Sequence, residues 1–302
     1  MPTSHAPCKE CGVKFPEDRT TCPHCGRPQL FPNVVRANRA EERDGLDRRY
    51  AAALQAAEMA GCRDKVDAFE KACVQSEAML CCRLEKLLAV AKGERDLFAN
   101  FYDLLSLRFQ KPPRASEPNW DSLRPITEIA LLDSDRHYNR IHYANLTLNG
   151  RGLPHYGECE VLMREEMIAH RTSTFESNSA VFVDRNGHKI PAGLRSDWTN
   201  RARHCVAKLG GQITVKMEEV EFPELMLKAG ATGMDDEFVE LHVFGELTFH
   251  AFRRITVRSA PIPKPSAPNR PRTRRGTAAE KVLRSYCEKT TTNGMSVEFV
   301  LV

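Results

Sequence analysis

Aromatic residues are few in this chain of 302 residues, with only two tryptophans and six tyrosines. Long apolar runs are absent as well. No stretch approaches the ~20 consecutive apolar residues of a membrane-spanning helix, and the mean hydropathy is −0.45. A membrane partner is therefore not expected. The N-terminal segment has no apolar core of the kind a secretory leader carries, so a cytoplasmic location is expected. Charge of one sign is also scarce. The net charge is +4, and the excess is local: Lys264, Arg270, Arg272, Arg274 and Arg275 share one stretch that holds no acid. That excludes a uniformly basic nucleic-acid binder.

Cysteine is plentiful, with eleven residues. Cys62, Cys73, Cys81, Cys82, Cys159, Cys205 and Cys287 follow no pairing rhythm. In a reducing compartment they read as small buried hydrophobes. Cys81 and Cys82 read as two faces of one helix. Cys8, Cys11, Cys22 and Cys25 are different, because they form two Cys-x-x-Cys pairs in "CKECGVKFPEDRTTCPHCG". Two such turns offer four thiolates in the tetrahedral arrangement zinc prefers. Gly12 and Gly26 follow the second cysteine of each pair, where positive φ turns backbone amides toward sulfur. The stretch resembles the zinc-ribbon family over residues 6–30. A segment so poor in apolar residues needs its metal to fold. Four sulfurs close the shell, so the zinc is expected to be structural. Lys9, Lys14, Arg19 and Arg27 offer contacts to nucleic acid or a solvated face.

Proline is missing from residues 37–92. Val66, Phe69, Cys73, Ser76, Leu80, Leu84, Leu87 and Leu88 recur at three- and four-residue spacing, which predicts helix. Ala60-Gly61 marks a break between two helices, and 94–109 continues the pattern. A helical hairpin or arm is expected over 37–110. After Trp120 short strands are expected. "GECEVLMR" alternates with period two, "SAVFVDRNGHKIP" reads as strand, Asn-Gly turn and return, and 195–210 reads as helix. "QITVKMEEVEF" and "EFVELHVFGELTFHAFRRITV" read as strands. An α+β domain is expected over 124–258.

Three polar clusters mark that domain: "RHYNRIHYANLTLNGRGL", "AHRTSTFESNS" and "EFVELHVFG". Their order resembles the ADP-ribosyltransferase superfamily. The resemblance implies a split mixed sheet that clamps NAD as co-substrate. It implies that Arg171 meets the phosphates or the nicotinamide ribose, that Ser173 orders the pocket, and that Glu240, or else Glu237, bonds the ribose 2′-hydroxyl. An alternative gives the NAD-holding role to His142. Tyr143 or Tyr156 would stack on nicotinamide, and Asn178 and Ser179 would bond its amide or cap a turn. Cleaving the nicotinamide bond builds an oxocarbenium ion, which a fixed carboxylate stabilises.

The segment 259–276 is proline-rich and basic, and an extended linker is expected there. Thr277 and Glu280 form a capping box for a helix. The apolar "MSVEFVLV" should pair as a strand within the fold, completing a C-terminal helix and strand over 277–302. Two functional readings follow. One is an ADP-ribosyltransferase-like enzyme that cleaves NAD and modifies a macromolecular acceptor, in the manner of a bacterial toxin or defence effector, targeted by the ribbon. The other is a non-catalytic zinc-ribbon adaptor for nucleic acid or protein. A His/Glu nuclease would need tight metal-ligand spacing in the body, and the sequence has none.

Overall fold

The structure is a computed structural model that describes residues 5–8, 11–16, 22–26, 31–93, 97–106, 120–132, 138–258, 275–292 and 297–301. The expected linker lies outside the described residues, apart from the start of the last helix. At the N-terminus β1 (His5–Pro7) pairs antiparallel with β2 (Lys14–Pro16). Three helices follow: α1 (Pro32–Ala37), α2 (Ala40–Met59) and α3 (Arg63–Val74).

After α3 the chain departs from the helical expectation. Residues Glu77–Cys82 are a strand, β3. The Ser76 hydroxyl donates to the Cys73 carbonyl at 2.6 Å and the Gln75 N–H bonds Ala72, which closes the helix. The helical spacing of Cys73, Ser76 and Leu80 is a coincidence across that boundary. Cys81 and Cys82 therefore face opposite sides of a strand, not of a helix. β3 sits between two neighbours and is covered on both sides, so its apolar residues run almost without a break. A strand buried in this way shows no period of two.

The remaining elements are α4 (Leu84–Ala91), α5 (Phe101–Ser106), α6 (Trp120–Leu132), β4 (Ile141–Thr147), β5 (Cys159–Met163), α7 (Glu165–Ile168), β6 (Thr172–Phe175), α8 (Ser179–Arg185), β7 (Arg195–Asp197), α9 (Arg201–Leu209), α10 (Phe222–Met226), β8 (Glu240–Phe244), β9 (Phe252–Val257), α11 (Arg275–Thr292) and β10 (Glu298–Leu301). The larger sheet is mixed and has eight strands in the order β10-β9-β5-β3-β4-β8-β6-β7. Only β10 runs parallel to its neighbour. The sheet is continuous, where the superfamily resemblance implies a split one. Helices and this mixed sheet make an α+β fold. The last strand pairs inside the fold, as its apolar sequence requires. Among the described residues no helix is long and apolar enough to cross a membrane.

Further stretches differ from expectation, among them 195–197, which is the strand β7 beside β6 and not the start of a helix. Residues 179–185 form α8 and not a strand. Asn178 caps it, its side chain accepting from the N–H groups of Ala180 and Val181 at 3.1 and 3.2 Å, a capping mode typically worth ~1 kcal/mol. The Asn186-Gly187 pair then ends the helix, with Gly187 at φ +59°. A glycine free to take positive φ ends a helix as readily as it turns a hairpin. Residues 212–222 hold no strand either. Val215 and Val220 are exposed, so that alternation has no sheet to rest on, and Glu218 and Glu221 form a capping box that leads into α10.

Side chains alternate across the sheet, and its two faces differ. One face carries Leu80, Leu146, Val161, Leu241, Val243 and Ile255, all buried. Val66 and Phe69 of α3, Leu87 of α4, Val206 of α9 and Leu283 of α11 join them in one core. The stretch read as an arm thus supplies both a central strand and covering helices. The other face has a small apolar cluster of Phe31, Val34, Leu132, Ile141 and Phe244 at one end. Its remainder mixes polar side chains such as Tyr143, Asn145, Glu240 and His242 with the buried Met79, Leu162 and Phe175. Gly152 lies on this face in the loop after β4, where a Cβ would fall 2.3 Å from the Cys81 sulfur. Only a glycine lets that loop settle so closely, and the loop brings His155 and Tyr156 to the sheet.

Candidate functional site

The N-terminal cysteines converge. Cys8 and Cys25 sulfurs are 3.6 Å apart and those of Cys11 and Cys22 are 3.7 Å apart. All four lie within 4.8 Å of one another. A tetrahedral zinc with bonds of about 2.3 Å places its sulfurs about 3.8 Å apart, so this group can hold a zinc ion. The turns support it. Gly12 and Gly26 have φ of +74° and +69°, and their N–H groups donate to the carbonyls of Cys8 and Cys22 at 2.9 and 3.0 Å.

The second cluster is built on the polar face by three adjacent strands. Register sets Glu240 and His242 of β8 beside Asn145 and Tyr143 of β4, and beside Phe175 and Ser173 of β6. Glu240 is 5% exposed. Its Oε2 accepts from the Ser179 N–H at 3.0 Å and shares a hydrogen bond with His242 Nε2 at 2.9 Å. Among the described residues Oε1 takes no hydrogen bond. The backbone donor comes from the first turn of α8, where partial positive charge favours a carboxylate. Asn178, which caps that helix, also donates to the Tyr156 hydroxyl at 2.8 Å. Tyr156 is 36% exposed and forms the rim of the cluster. Burial, with Glu240 and Asp236 nearby, pushes its phenol well above the ordinary range.

Behind Glu240, the Tyr143 hydroxyl donates to Glu128 Oε1 at 2.8 Å. Burial pushes Glu128 up to about 8, with Arg124 and Tyr143 opposing and Glu240 adding to the rise. Ser173 is buried, and its hydroxyl accepts from the Asn33 side chain at 3.2 Å. Asn33 also donates to the His242 carbonyl at 2.8 Å, tying α1 to β8.

Of the residues named from sequence, Ser179 bonds Glu240, Asn178 and Tyr156 reach it through the start of α8, and Ser173 and Tyr143 flank its neighbour His242, so these lie near that carboxylate. Arg171 and His142 do not. Arg171 lies opposite Phe244, four positions from Glu240 in the β8 register, or about 13 Å along the strand. Its Nε and Nη1 donate to the carbonyls of Met167, Phe244 and Glu246, at 3.1, 3.0 and 2.6 Å. Such bonds lock the turn after β8. His142 points to the apolar face, where burial, Lys86 and Arg171 hold its imidazole down at about 3. It is a neutral core ring beside Phe98. Glu237 is exposed and lies 3.7 Å from Lys208.

Sequence reading missed Glu128, His155 and Asp236. Glu128 falls in α6, in a stretch expected to begin a run of strands, so no helical pattern pointed to it. His155 and Asp236 are distant in sequence and meet only through two loops. No family model and no curated protein matches this sequence, so the likeness to the ADP-ribosyltransferase superfamily rests on the residues alone.

Proposed function

We propose that the α+β body is a glycosyl-transfer enzyme that cleaves NAD, with Glu240 as its catalytic carboxylate, and that the cysteine-rich segment directs it to a macromolecular acceptor. One observation carries the reading: Glu240 is fixed through Oε2 by two donors while, among the described residues, Oε1 stays uncommitted. A carboxylate held in this way sits ready for charge that develops only in the transition state. Departure of nicotinamide leaves an oxocarbenium ion on the ribose, and a preorganised anion in a dry site stabilises it strongly. Tyr156 at the rim offers a ring face for the leaving base, and Asn178 fixes that ring. Ser173 and Tyr143 hold the neighbouring strands. Arg171 and His142 have no part in this reading.

The test is release of nicotinamide from NAD by the purified chain, with and without cell lysate as acceptor. Glu240→Gln should slow release about 100- to 1,000-fold while the fold persists. A Glu240→Gln protein as active as the wild type would remove Glu240 from the mechanism. The metal is read separately, by elemental analysis of the wild type and of Cys8→Ser. About one zinc per chain is expected for a four-sulfur site, with loss in the variant.

A second reading, the non-catalytic adaptor, is favoured by the near-complete burial of Glu240. It predicts no nicotinamide release, together with salt-dependent retention on nucleic acid or capture by a protein partner.

A further inference from the structure

His155 and Asp236 form a pair that the functional reading above does not use. His155 Nδ1 lies 3.0 and 3.1 Å from the two oxygens of Asp236. The Asp236 side chain is fully buried while that of His155 is 26% exposed. Asp236 is itself fixed, since its Oδ1 accepts from the Gly230 N–H at 2.8 Å. A carboxylate bonded to Nδ1 places the proton on that nitrogen and leaves a lone pair on Nε2. Among the described residues Nε2 makes no hydrogen bond. The imidazole is therefore oriented on one side and open on the other.

Its position matters as much. His155 precedes Tyr156 in a 3-10 turn, and the Tyr156 hydroxyl reaches both Asn178 and the Gly233 carbonyl. Through Asn178 and the start of α8, that tyrosine is linked to Glu240. Asp236 lies four residues before Glu240, on the segment that enters β8. The ring of Phe238, between them, packs against Tyr156 at 6.0 Å. The pair thus flanks the rim at which the Glu240 cluster meets solvent.

We propose that His155, oriented by Asp236, is the base that activates a hydroxyl acceptor in the glycosyl transfer. This inference rests on the reading of Glu240 given above. In the step, the acceptor oxygen bonds to ribose C1′ as the bond from C1′ to the nicotinamide nitrogen breaks. That bonding pair leaves with nicotinamide, which departs neutral. The acceptor proton passes to His155 Nε2, the imidazolium is balanced by Asp236, and the proton is then lost to water. Acceptors of this class are alcohols and water, whose protons are held too tightly to leave unaided.

The experiment follows NAD in buffer, with water as acceptor, and then with methanol added as a probe alcohol. Nicotinamide, ADP-ribose and methyl ADP-ribose are measured for the wild type, His155→Ala, His155→Gln, Asp236→Asn and Glu240→Gln, with thermal midpoints alongside. General-base loss should lower release about 100-fold or more in both His155 variants. Free imidazole should restore part of the His155→Ala rate, and Asp236→Asn should fall between. His155→Gln can keep the bond to Asp236, so its inactivity with a wild-type midpoint separates chemistry from folding. A wild-type rate in either His155 variant overturns the inference and leaves the Glu240 reading standing. Loss of rate that imidazole does not restore reduces the pair to a tie between two loops. A wild type that leaves NAD intact ends both proposals, a pattern distinct from either.

Discussion

Glu176 and Glu240 leave the same sheet on opposite faces, and the two carboxylates are treated in opposite ways. Glu176 follows Phe175, the residue paired with Glu240, and so turns toward the apolar face. There both of its oxygens accept from Arg49 Nη2 at 2.6 Å, and His204 Nε2 lies 3.5 Å away. Burial alone would raise its pKa, but the nearby His204 imidazole and the Arg49 guanidinium bring it down to about 2. Among the described residues Glu240 has no such cation. Its bonds there come from a backbone N–H and an imidazole, and one oxygen is left over. A carboxylate neutralised within the fold is spent on structure. One held by weaker donors can still answer a positive charge brought by a ligand. The difference sets a face of neutralised charge against a face that, on the function proposed above, carries the chemistry.

The packed face should give the largest stability effect when cut. Phe69 is fully buried against Phe222, with ring centroids 5.2 Å apart. Phe69→Ala should cost about 3–5 kcal/mol, through lost transfer energy and an unfilled cavity. Chemical denaturation measures it, and a loss below about 1 kcal/mol would mean that α3 is not part of the core. On the other face the expectation inverts. Glu240→Gln should slow nicotinamide release about 100- to 1,000-fold while the denaturation midpoint stays near wild type. Equal damage to stability and rate would erase the contrast between the faces.

How much of that contrast the sequence carried depends on where each residue sits. β8 was legible because Glu240 and His242 alternate with the apolar Leu241 and Val243 on a strand whose two faces differ. The cysteine group was legible because metal coordination fixes spacing locally. β3 was not, since burial on both sides removes the period that reveals a strand. Asn178 was read as an amide-binding residue or a turn cap, and it caps a helix where a strand was expected. Arg171 shows the limit most clearly. Its residue type and its neighbours Thr172 and Ser173 suit an anion site, but only the fold shows its guanidinium closing a turn through carbonyls.

The ion-paired face should also reveal itself through pH. The Glu176 pKa in the fold, about 2, lies below the ordinary 4.5 of a glutamate. Its contribution is therefore fully present above about 4.5 and is lost as pH falls toward about 2. A displacement of that size corresponds to about 3 kcal/mol. Urea midpoints at pH 5 and pH 2.5 should differ in that sense, and Arg49→Met should shrink the difference. The polar face would show no matching effect of Arg49→Met on nicotinamide release, because Glu240 is held by other donors.

Asn178 offers the smallest effect and the finest separation, because it serves both roles at once. Its side-chain oxygen caps α8, while its amide nitrogen donates to Tyr156. Asn178→Ala removes both and should cost about 1 kcal/mol of stability. Asn178→Asp keeps the capping oxygen and loses the donor, so stability should be preserved. If the Tyr156 rim matters only as packing, the aspartate variant should also keep the wild-type rate. If the donor orients the ring for a leaving base, nicotinamide release should fall in Asn178→Asp as far as in Asn178→Ala, with stability lost only in the alanine variant. A midpoint that falls equally in both would mean that the cap contributes nothing, and that α8 is held by the packing of Val181 and Val183 instead.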